Sequence, residues 1–202
     1  MPRSSTKFLF LVSALFVVIA VVVGIIVDSE RRRKDAENLC TTAKSFVVGA
    51  TTLATVKRDL ERFNRYSNGG VGCSATGCGS YDITNRWLKS FHLAPGNGFG
   101  VSLWFNNGIL QRKAIYMGAG PCCVVYVTDT DSPPNARIWP PKIDRDRTGV
   151  ALKALIHITP QSTNQERAVL DSFNFRCLTK IGGCPTAEEM APGVSKIVSG
   201  SQ

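Results

Sequence analysis

At 202 residues, the chain has room for one ordinary domain and some accessory segments. Charged residues make up 19% of it and apolar residues 44%, which excludes wholesale disorder. No period of about 20–50 residues recurs, which excludes a repeat array. The formal net charge of +9 would suit nucleic acid only with a basic face and interleaved aromatic side chains. The sequence has neither, so we expect no nucleic-acid partner.

The first predicted element is a membrane-spanning helix. A basic tail of residues 1–7 precedes residues 8–27, which contain no charged side chain. At a rise of about 1.5 Å per residue, such a helix covers about 30 Å, the thickness of the hydrocarbon core of a bilayer. A cleaved signal peptide has a shorter apolar core and a small-x-small cleavage site. This run ends in Ile-Ile-Val-Asp, so we predict an uncleaved single-pass anchor whose partner is the lipid bilayer.

The helix is predicted to continue beyond the bilayer as a stalk over residues 28–47, because apolar residues recur there at helical spacing. The stalk begins with a basic cluster, Arg31, Arg32, Arg33 and Lys34. Such a cluster attracts anionic lipid headgroups, and it also serves as a topology signal. Two basic side chains precede the span and four follow it closely, and this count alone places the domain in the cytoplasm.

The globular domain is predicted over residues 48–194. Thr51 or Thr52 caps a helix that reaches residue 63, and from Ser80 the apolar period changes to two. The candidate strands are 80–93, 99–106, 109–117, 122–129 and 150–158. Asn107-Gly108 lies between two of them and suits a type I′ hairpin turn. The pattern predicts an antiparallel meander.

The C-terminal third is predicted to hold a long surface loop and one further helix. Residues 131–148 are polar and rich in proline, which indicates a loop. A helix over 162–177 then begins at a capping box, formed by Ser162 with Gln165 or by Thr163 with Glu166. Residues 195–202 are expected to form a flexible tail. The fold class is therefore α+β: a transmembrane helix and stalk, then an antiparallel meander packed by two or three short helices.

Seven cysteines bear on the compartment of the domain. Two pairs are close in sequence and separated by glycine-bearing turns, and we predict them as disulfides: Cys73 with Cys78 and Cys177 with Cys184. Disulfides indicate an oxidising compartment, which places the domain outside the cytoplasm and opposes the charge count. The alternative is that some of these cysteines are ordinary buried thiols.

No familiar catalytic pattern is present in the sequence. It lacks the phosphate-loop lysine motif, the serine elbow and the zinc-helix motif. A thiol enzyme needs a base beside its cysteine, and the chain has only His92 and His157, of which His157 alternates with isoleucines in a strand-like run. We expect no cofactor, no metal-ligand set and no catalytic residue.

Two resemblances can be described from short motifs. The anchor, the Phe105-Asn106-Asn107-Gly108 turn and the tail from Phe173 to Cys184 are similar to uncharacterised, membrane-anchored bacterial proteins of the acidobacterial type, which implies no function. Gly49-Ala50-Thr51-Thr52 before a helix and a meander resembles the small lipoprotein of the outer-membrane assembly machinery. The chain departs from that family in lacking the lipidated cysteine and in having additional strands and a C-terminal helix.

The leading functional hypothesis is a non-enzymatic, membrane-anchored, extracytoplasmic module of the cell envelope that binds another envelope protein or has a structural role. One alternative is an envelope enzyme or thiol-redox protein that uses Cys40, Cys122 or Cys123. Another is a cytoplasm-facing domain that Arg31–Lys34 hold at the lipid surface.

Overall fold

A computed structural model describes the chain, and its fold class is α+β, as the sequence predicts. The structure describes residues 3–68, 77–94, 97–119, 123–130, 142–145, 147, 151–160 and 162–199. Part of the predicted loop, residues 131–141, lies outside these ranges, as do residues 200–202 of the predicted tail.

Helix α1 (Arg3–Ser45) runs without interruption through 43 residues. Within the described residues it is the one helix long and apolar enough to cross a membrane, and its apolar stretch is almost entirely unburied by protein. Apart from Ile25, the large apolar side chains from Leu15 to Val27 are 48–67% exposed. We call the part of α1 up to residue 27 the apolar half.

The remainder of α1, residues 28–45, packs against the sheet, and we call it the domain half. Ala36, Leu39, Cys40 and Ala43 are at most 3% exposed and recur every three or four residues on one face. The predicted stalk residues are helical up to Ser45, and their apolar stripe belongs to the hydrophobic core.

Helix α2 (Leu53–Leu60) begins at Thr52, whose hydroxyl accepts a hydrogen bond from the Thr55 amide at 3.2 Å. The Thr52 cap is thus confirmed. A 3-10 helix, Glu61–Tyr66, follows directly. Val56, Leu60 and Phe63 are buried and carry both short helices onto the core.

The sheet has seven strands in the order β1-β2-β3-β4-β5-β7-β6. Their bounds are β1 (Ser67–Asn68), β2 (Gly77–Thr84), β3 (Asn97–Asn106), β4 (Ile109–Ala119), β5 (Cys123–Thr130), β6 (Lys142–Arg145) and β7 (Ala151–Ile158). Strands β2 to β5 form the predicted antiparallel meander, and the two-residue strand β1 pairs antiparallel with β2 at its edge. At the Asn107-Gly108 turn, φ is 50° and 75°, the positive values that a type I′ turn requires.

Two features of the sheet differ from the expectation. Strand β7 pairs with β5 in parallel, so the sheet is mixed. Strand β6 lies inside the predicted loop of 131–148 and pairs antiparallel with β7. With four residues, three of them charged, β6 is too short and too polar to show an alternating pattern, and the sequence therefore predicted a loop there.

The predicted strand 80–93 ends at Thr84, and helix α3 (Arg86–Ser90) replaces its second half. Asn85 ends the strand because its side chain caps α3 and accepts a hydrogen bond from the Leu88 amide at 3.1 Å. The alternation that favoured a long strand is thus overridden by a cap.

The predicted helix 162–177 is broken into α4 (Asn164–Ala168) and the 3-10 helices Val169–Asp171 and Phe175–Leu178. Of the two capping boxes left open, the structure has the one of Thr163 with Glu166. The rings of Phe173 and Phe175 both contact Phe99, with centroids 5.9 and 5.1 Å away. Residues two apart cannot share one face of an α-helix, so this contact requires the break.

The chain closes with α5 (Ala187–Met190) and α6 (Val194–Ser199). The acidic pair Glu188-Glu189 lies in the first turn of α5. Helix α6 occupies residues that the sequence assigns to a flexible tail, and buried Val194 attaches it to the core. One face of the sheet thus packs on the domain half of α1, on α2 and on the C-terminal segments.

Candidate functional site

A groove of about 690 Å³ lies between α1 and α3, at the boundary of the two halves of α1. Its lining residues are Val21, Gly24, Ile25, Asp28 and Arg32 from α1, and Arg86, Trp87 and Ser90 from α3. The groove therefore has an apolar wall from the end of the apolar half and a polar rim. At Gly24 an added Cβ would meet no atom within 4 Å, so the glycine faces open space.

Asn85 holds α3 against α1. Its amide group donates to the Ser29 hydroxyl at 3.0 Å and to the Leu178 carbonyl at 2.9 Å, while its oxygen caps α3. Asn85 and Ser29 are both buried. One side chain thus joins α1, α3 and the C-terminal segment, and fixes the height of α3 along α1.

The rim of the groove is a small polar network centred on Asp28. This carboxylate accepts hydrogen bonds from Arg32 Nε at 2.7 Å and from the indole N–H of Trp87 at 3.1 Å. Arg32 also donates to the Thr84 carbonyl at 3.4 Å, just before α3 begins. The network orients Trp87 so that its polar edge is satisfied while 41% of the residue remains exposed.

An exposed apolar patch adjoins the groove at Trp87. Its residues are 41–71% exposed: Trp87, Phe91, Leu93 and Ile181. The Trp87 and Phe91 rings stack with centroids 6.2 Å apart. The Gly182 amide donates to the Leu93 carbonyl at 2.7 Å and so brings Ile181 beside Leu93. Sequence reasoning missed the patch because it placed Trp87, Phe91 and Leu93 in the strand 80–93 and Ile181 in the turn between Cys177 and Cys184. The spacing of Trp87 and Phe91 by four, after an asparagine cap, is the signal that would have found it.

The predicted lipid-headgroup cluster is divided by the structure. Arg32 pairs with Asp28, and Arg33 pairs with Glu30 at 2.8 Å and Glu37 at 2.6 Å. Arg31 and Lys34 are exposed. Two basic residues that the sequence did not single out, Arg86 and Lys89, are also exposed on α3, next to the patch.

The disulfide predictions are resolved for one pair. Cys177 and Cys184 form a disulfide with their Cα atoms 5.3 Å apart, as the sequence predicts. The predicted pair Cys73–Cys78 lies outside the described residues, since Cys73 is not described.

The thiol alternative can be examined at Cys40, which lies in the domain half of α1. Cys40 is free and 3% exposed, and burial raises the pKa of its thiol to about 11. It is therefore protonated near neutral pH and poorly accessible, the opposite of a reactive cysteine. Cys122 lies outside the described residues, and Cys123 is described only as the first backbone position of β5.

A buried lysine joins the sheet to the end of α1. Lys113 on β4 is 4% exposed, and its ammonium donates to the carbonyls of Phe46 at 2.6 Å and Lys44 at 3.3 Å. Asp129 lies 3.4 Å away on β5. Burial lowers the pKa of Lys113, and the neighbouring Asp129 opposes that shift. A cation at this position satisfies the last carbonyls of α1 and complements the helix dipole.

The sheet face directed away from α1 carries polar and aromatic side chains. Asp82 accepts hydrogen bonds from Tyr116 and Asn68, and from the Ser80 hydroxyl at 3.1 Å. The guanidinium of Arg112 lies 3.9 Å from the centroid of the Trp104 ring. This face is a second surface with groups suited to recognition.

His157 lies on β7, where Nδ1 bonds the Thr128 hydroxyl. Burial, together with nearby Arg112, lowers the pKa of His157 and favours its neutral form. Among the described residues, no group of three His, Cys, Asp or Glu side chains is arranged to hold a metal ion.

Compared with protein-family models, curated proteins and solved structures, the chain has no match. The two resemblances from sequence motifs consequently stay predictions. The features that bear on function are the groove, the apolar patch and the two halves of α1.

Proposed function

We propose that this protein is a single-pass membrane protein in which the apolar half of α1 anchors an α+β domain at the extracytoplasmic surface, where the domain acts as a binding or structural module of the cell envelope. The observation that carries the proposal is the uninterrupted passage of one helix from an exposed apolar segment into the core of a domain.

The exposure of the apolar half supports the anchor. Soluble proteins rarely expose a contiguous apolar surface of more than a few hundred Å², and here all the large apolar side chains from Leu15 to Val27 except Ile25 are about half exposed or more. In water each would lose the roughly 1.5–3 kcal/mol that burial of such a side chain contributes. In hydrocarbon the same residues are well solvated, and the helix satisfies its own backbone groups.

The Cys177–Cys184 disulfide supports the extracytoplasmic side, because disulfides persist in oxidising compartments. The charge count opposes it, with two basic residues before the span and four just after. The disulfide is the stronger indicator of the side on which the domain lies, because formation of a covalent bond between Cys177 and Cys184 depends directly on the redox compartment.

The aromatic and arginine side chains of the outer sheet face support a binding role. Aromatic residues and arginine are enriched in the cores of protein interfaces, and Trp104 and Arg112 stack on that face. Ser102 lies two residues before Trp104 on β3. We expect a photo-crosslinker at Ser102 to form a crosslink to one defined envelope protein. Loss of this crosslink in a Trp104→Ala, Arg112→Ala variant would support the binding role, and an unchanged set of crosslinked products would contradict it.

Two measurements test the anchor and its side. After carbonate extraction of membranes, the full-length chain is expected in the pellet, and recovery in the supernatant would contradict the anchor. Alkaline phosphatase fused after Gln202 is expected to be active. A fluorescent protein that matures only in the cytoplasm, fused at the same position, is expected to show no fluorescence. The reverse pattern would support the cytoplasm-facing alternative with Arg31–Lys34 at the lipid surface.

A further inference from the structure

The groove places α3 level with the last turns of the membrane span. Val21 and Asp28 both line it, and at about 1.5 Å per residue they are separated by about 10 Å along the helix axis. Arg86 and Trp87 face this interval. When the apolar half is inserted, α3 therefore lies beside the bilayer surface and not above it.

Exposed apolar side chains are concentrated at this height. Among the described residues outside α1, five large apolar side chains are exposed: Val47, Trp87, Phe91, Leu93 and Ile181. Four of them form the apolar patch, and only Val47 lies at the other end of the domain half. Trp87 lines the groove together with Val21 and Ile25, so the patch adjoins the end of the span at Trp87.

The charges next to the patch are basic. Arg31, Arg86 and Lys89 are exposed, and none of the three pairs with a carboxylate within the described residues. Asp28, the acidic group of the groove, is occupied by Arg32 and by the Trp87 indole. This combination suits the headgroup layer, where tryptophan is enriched and where basic residues meet anionic phosphates.

We infer that the patch and its basic residues form a second membrane contact: Trp87, Phe91, Leu93 and Ile181 insert into the interfacial layer of the bilayer that α1 crosses, and Arg31, Arg86 and Lys89 bind anionic phospholipid headgroups. The inference rests on the proposed function, since it requires the apolar half to be inserted. The domain is then held at the membrane at two points, by the span and by α3.

Quenching of tryptophan fluorescence by brominated lipid tests this contact. The chain has three tryptophans, so Trp104→Phe with Trp139→Phe leaves Trp87 as the single probe in the full-length protein. In phosphatidylcholine vesicles with phosphatidylglycerol, brominated near the headgroup, Trp87 is expected to lose at least half as much emission as a probe inside the span.

The span probe is Val23→Trp, about 6 Å inside the end of the span at residue 27, in a chain where all three native tryptophans are replaced by Phe. A negative control keeps Trp104 alone. Trp104 lies near the Asn107-Gly108 hairpin, whose Gly108 carbonyl accepts a hydrogen bond from the Leu53 amide at 2.8 Å. Leu53 follows the C-terminal end of α1, and that end is about 25 Å from Asp28 along the helix axis. It is expected to keep its emission.

The outcomes separate this inference from the proposed function. Quenching of the span probe without quenching of Trp87 would overturn the second contact and leave the anchor intact. Absence of quenching at the span probe would overturn the anchor itself. Emission of Trp87 that follows the protein-to-lipid ratio and ignores bromination would assign the patch to contacts between copies of the chain.

The basic part is tested by Arg86→Gln with Lys89→Gln in the same background. Quenching of Trp87 is expected to increase with phosphatidylglycerol content in the parent and to lose most of that dependence in the variant. An unchanged dependence would overturn the role of these two side chains. Lys57→Gln with Arg58→Gln on α2 is the matched control, since these residues lie next to the far end of α1 and are expected to leave the dependence unchanged.

Discussion

The two halves of α1 share one backbone conformation and have opposite surfaces. In the apolar half, large apolar side chains project on every side and stay exposed. In the domain half, a narrow stripe of Ala36, Leu39, Cys40 and Ala43 is buried, and charged residues occupy the other faces. A helix that is apolar all round suits lipid, whereas a helix with one apolar stripe suits the surface of a sheet.

The difference teaches that the boundary near Asp28 is set by side chains and not by a break in the helix. Alanines in the stripe let the domain half lie close to the sheet, while Ser29 and Asn85 begin the contact within two residues of the last apolar position. The apolar half and the domain half are therefore expected to respond differently to matched substitutions.

The largest difference is expected for leucine truncation. Leu39→Ala in the domain half should lower the free energy of unfolding by about 2–5 kcal/mol, because Leu39 is 0% exposed and its removal leaves a cavity. Leu15→Ala, at a residue 59% exposed in the apolar half, should leave domain stability unchanged. Urea denaturation in detergent micelles measures both, and equal losses would contradict the division of α1.

Removal of the disulfide should loosen the segment that Asn85 and Asn97 bind. The bond closes a short loop between positions 7 apart, so Cys184→Ser should lower stability by about 2–3 kcal/mol. Asn97 donates to the Cys177 carbonyl at 2.6 Å, as Asn85 does to Leu178. Hydrogen exchange is therefore expected to rise at α3 and to stay unchanged in the apolar half. Uniform exchange along the whole chain would count against this coupling.

Lys113→Ala should release the end of the domain half at a loss of about 1–3 kcal/mol, since it leaves the Phe46 and Lys44 carbonyls without their donor. The folded-state pKa of Lys113 is lowered, so the unfolded chain binds the proton more tightly. Its contribution to stability therefore rises with pH between that lowered value and the ordinary 10.5. The free energy of unfolding of the parent minus that of Lys113→Ala, measured at several pH values, isolates this contribution from those of other titrating groups. If that difference does not vary with pH, the prediction is wrong.

The smallest effect is expected at Glu188, which is remote from α1. Its carboxylate accepts from the amides of Gly193 at 2.6 Å and Ser195 at 3.1 Å, at the start of α6. Partial burial raises the pKa of Glu188, but these hydrogen bonds outweigh it and the net pKa is lowered. Its stabilisation is thus complete above the ordinary value of 4.5 and is lost as pH falls through the lower folded value.

Glu188→Gln should remove that acid dependence at a loss below about 1 kcal/mol. Amide exchange in α6 at neutral and acidic pH measures it. Because the site does not touch α1, the Trp87 quenching described above should be unaffected, which makes this variant a control for the other three.

Local signals in the sequence predicted much of the fold. The uncharged run, the Thr52 cap, the Asn107-Gly108 turn and the Cys177–Cys184 pair each depend on residues that are neighbours in the chain. The groove between α1 and α3 could not be predicted in the same way. Asn85 caps α3 locally, but it fixes α3 against α1 through Ser29, 56 residues earlier, and no window of sequence contains that contact.

The same limit applies to the C-terminal segment and to the sheet. The helix pattern of 162–177 is overridden by two phenylalanines that share Phe99, a partner far upstream. The parallel pairing of β5 with β7 depends on a crossover that strand periodicity does not encode. Among the patch residues, Trp87 and Phe91 have a local signal in their spacing by four, whereas Ile181 reaches Leu93 only through the long-range bond of the Gly182 amide to the Leu93 carbonyl.

The absence of a joint within α1 has a mechanical consequence. With the apolar half inserted as proposed, a rigid rod that continues into the core transmits its inclination to the whole sheet, so we expect the angle of the domain to the membrane plane to follow the thickness of the bilayer. In a thin membrane the rod leans and tips one edge of the sheet toward the lipid; in a thick one it stands upright and levels that edge.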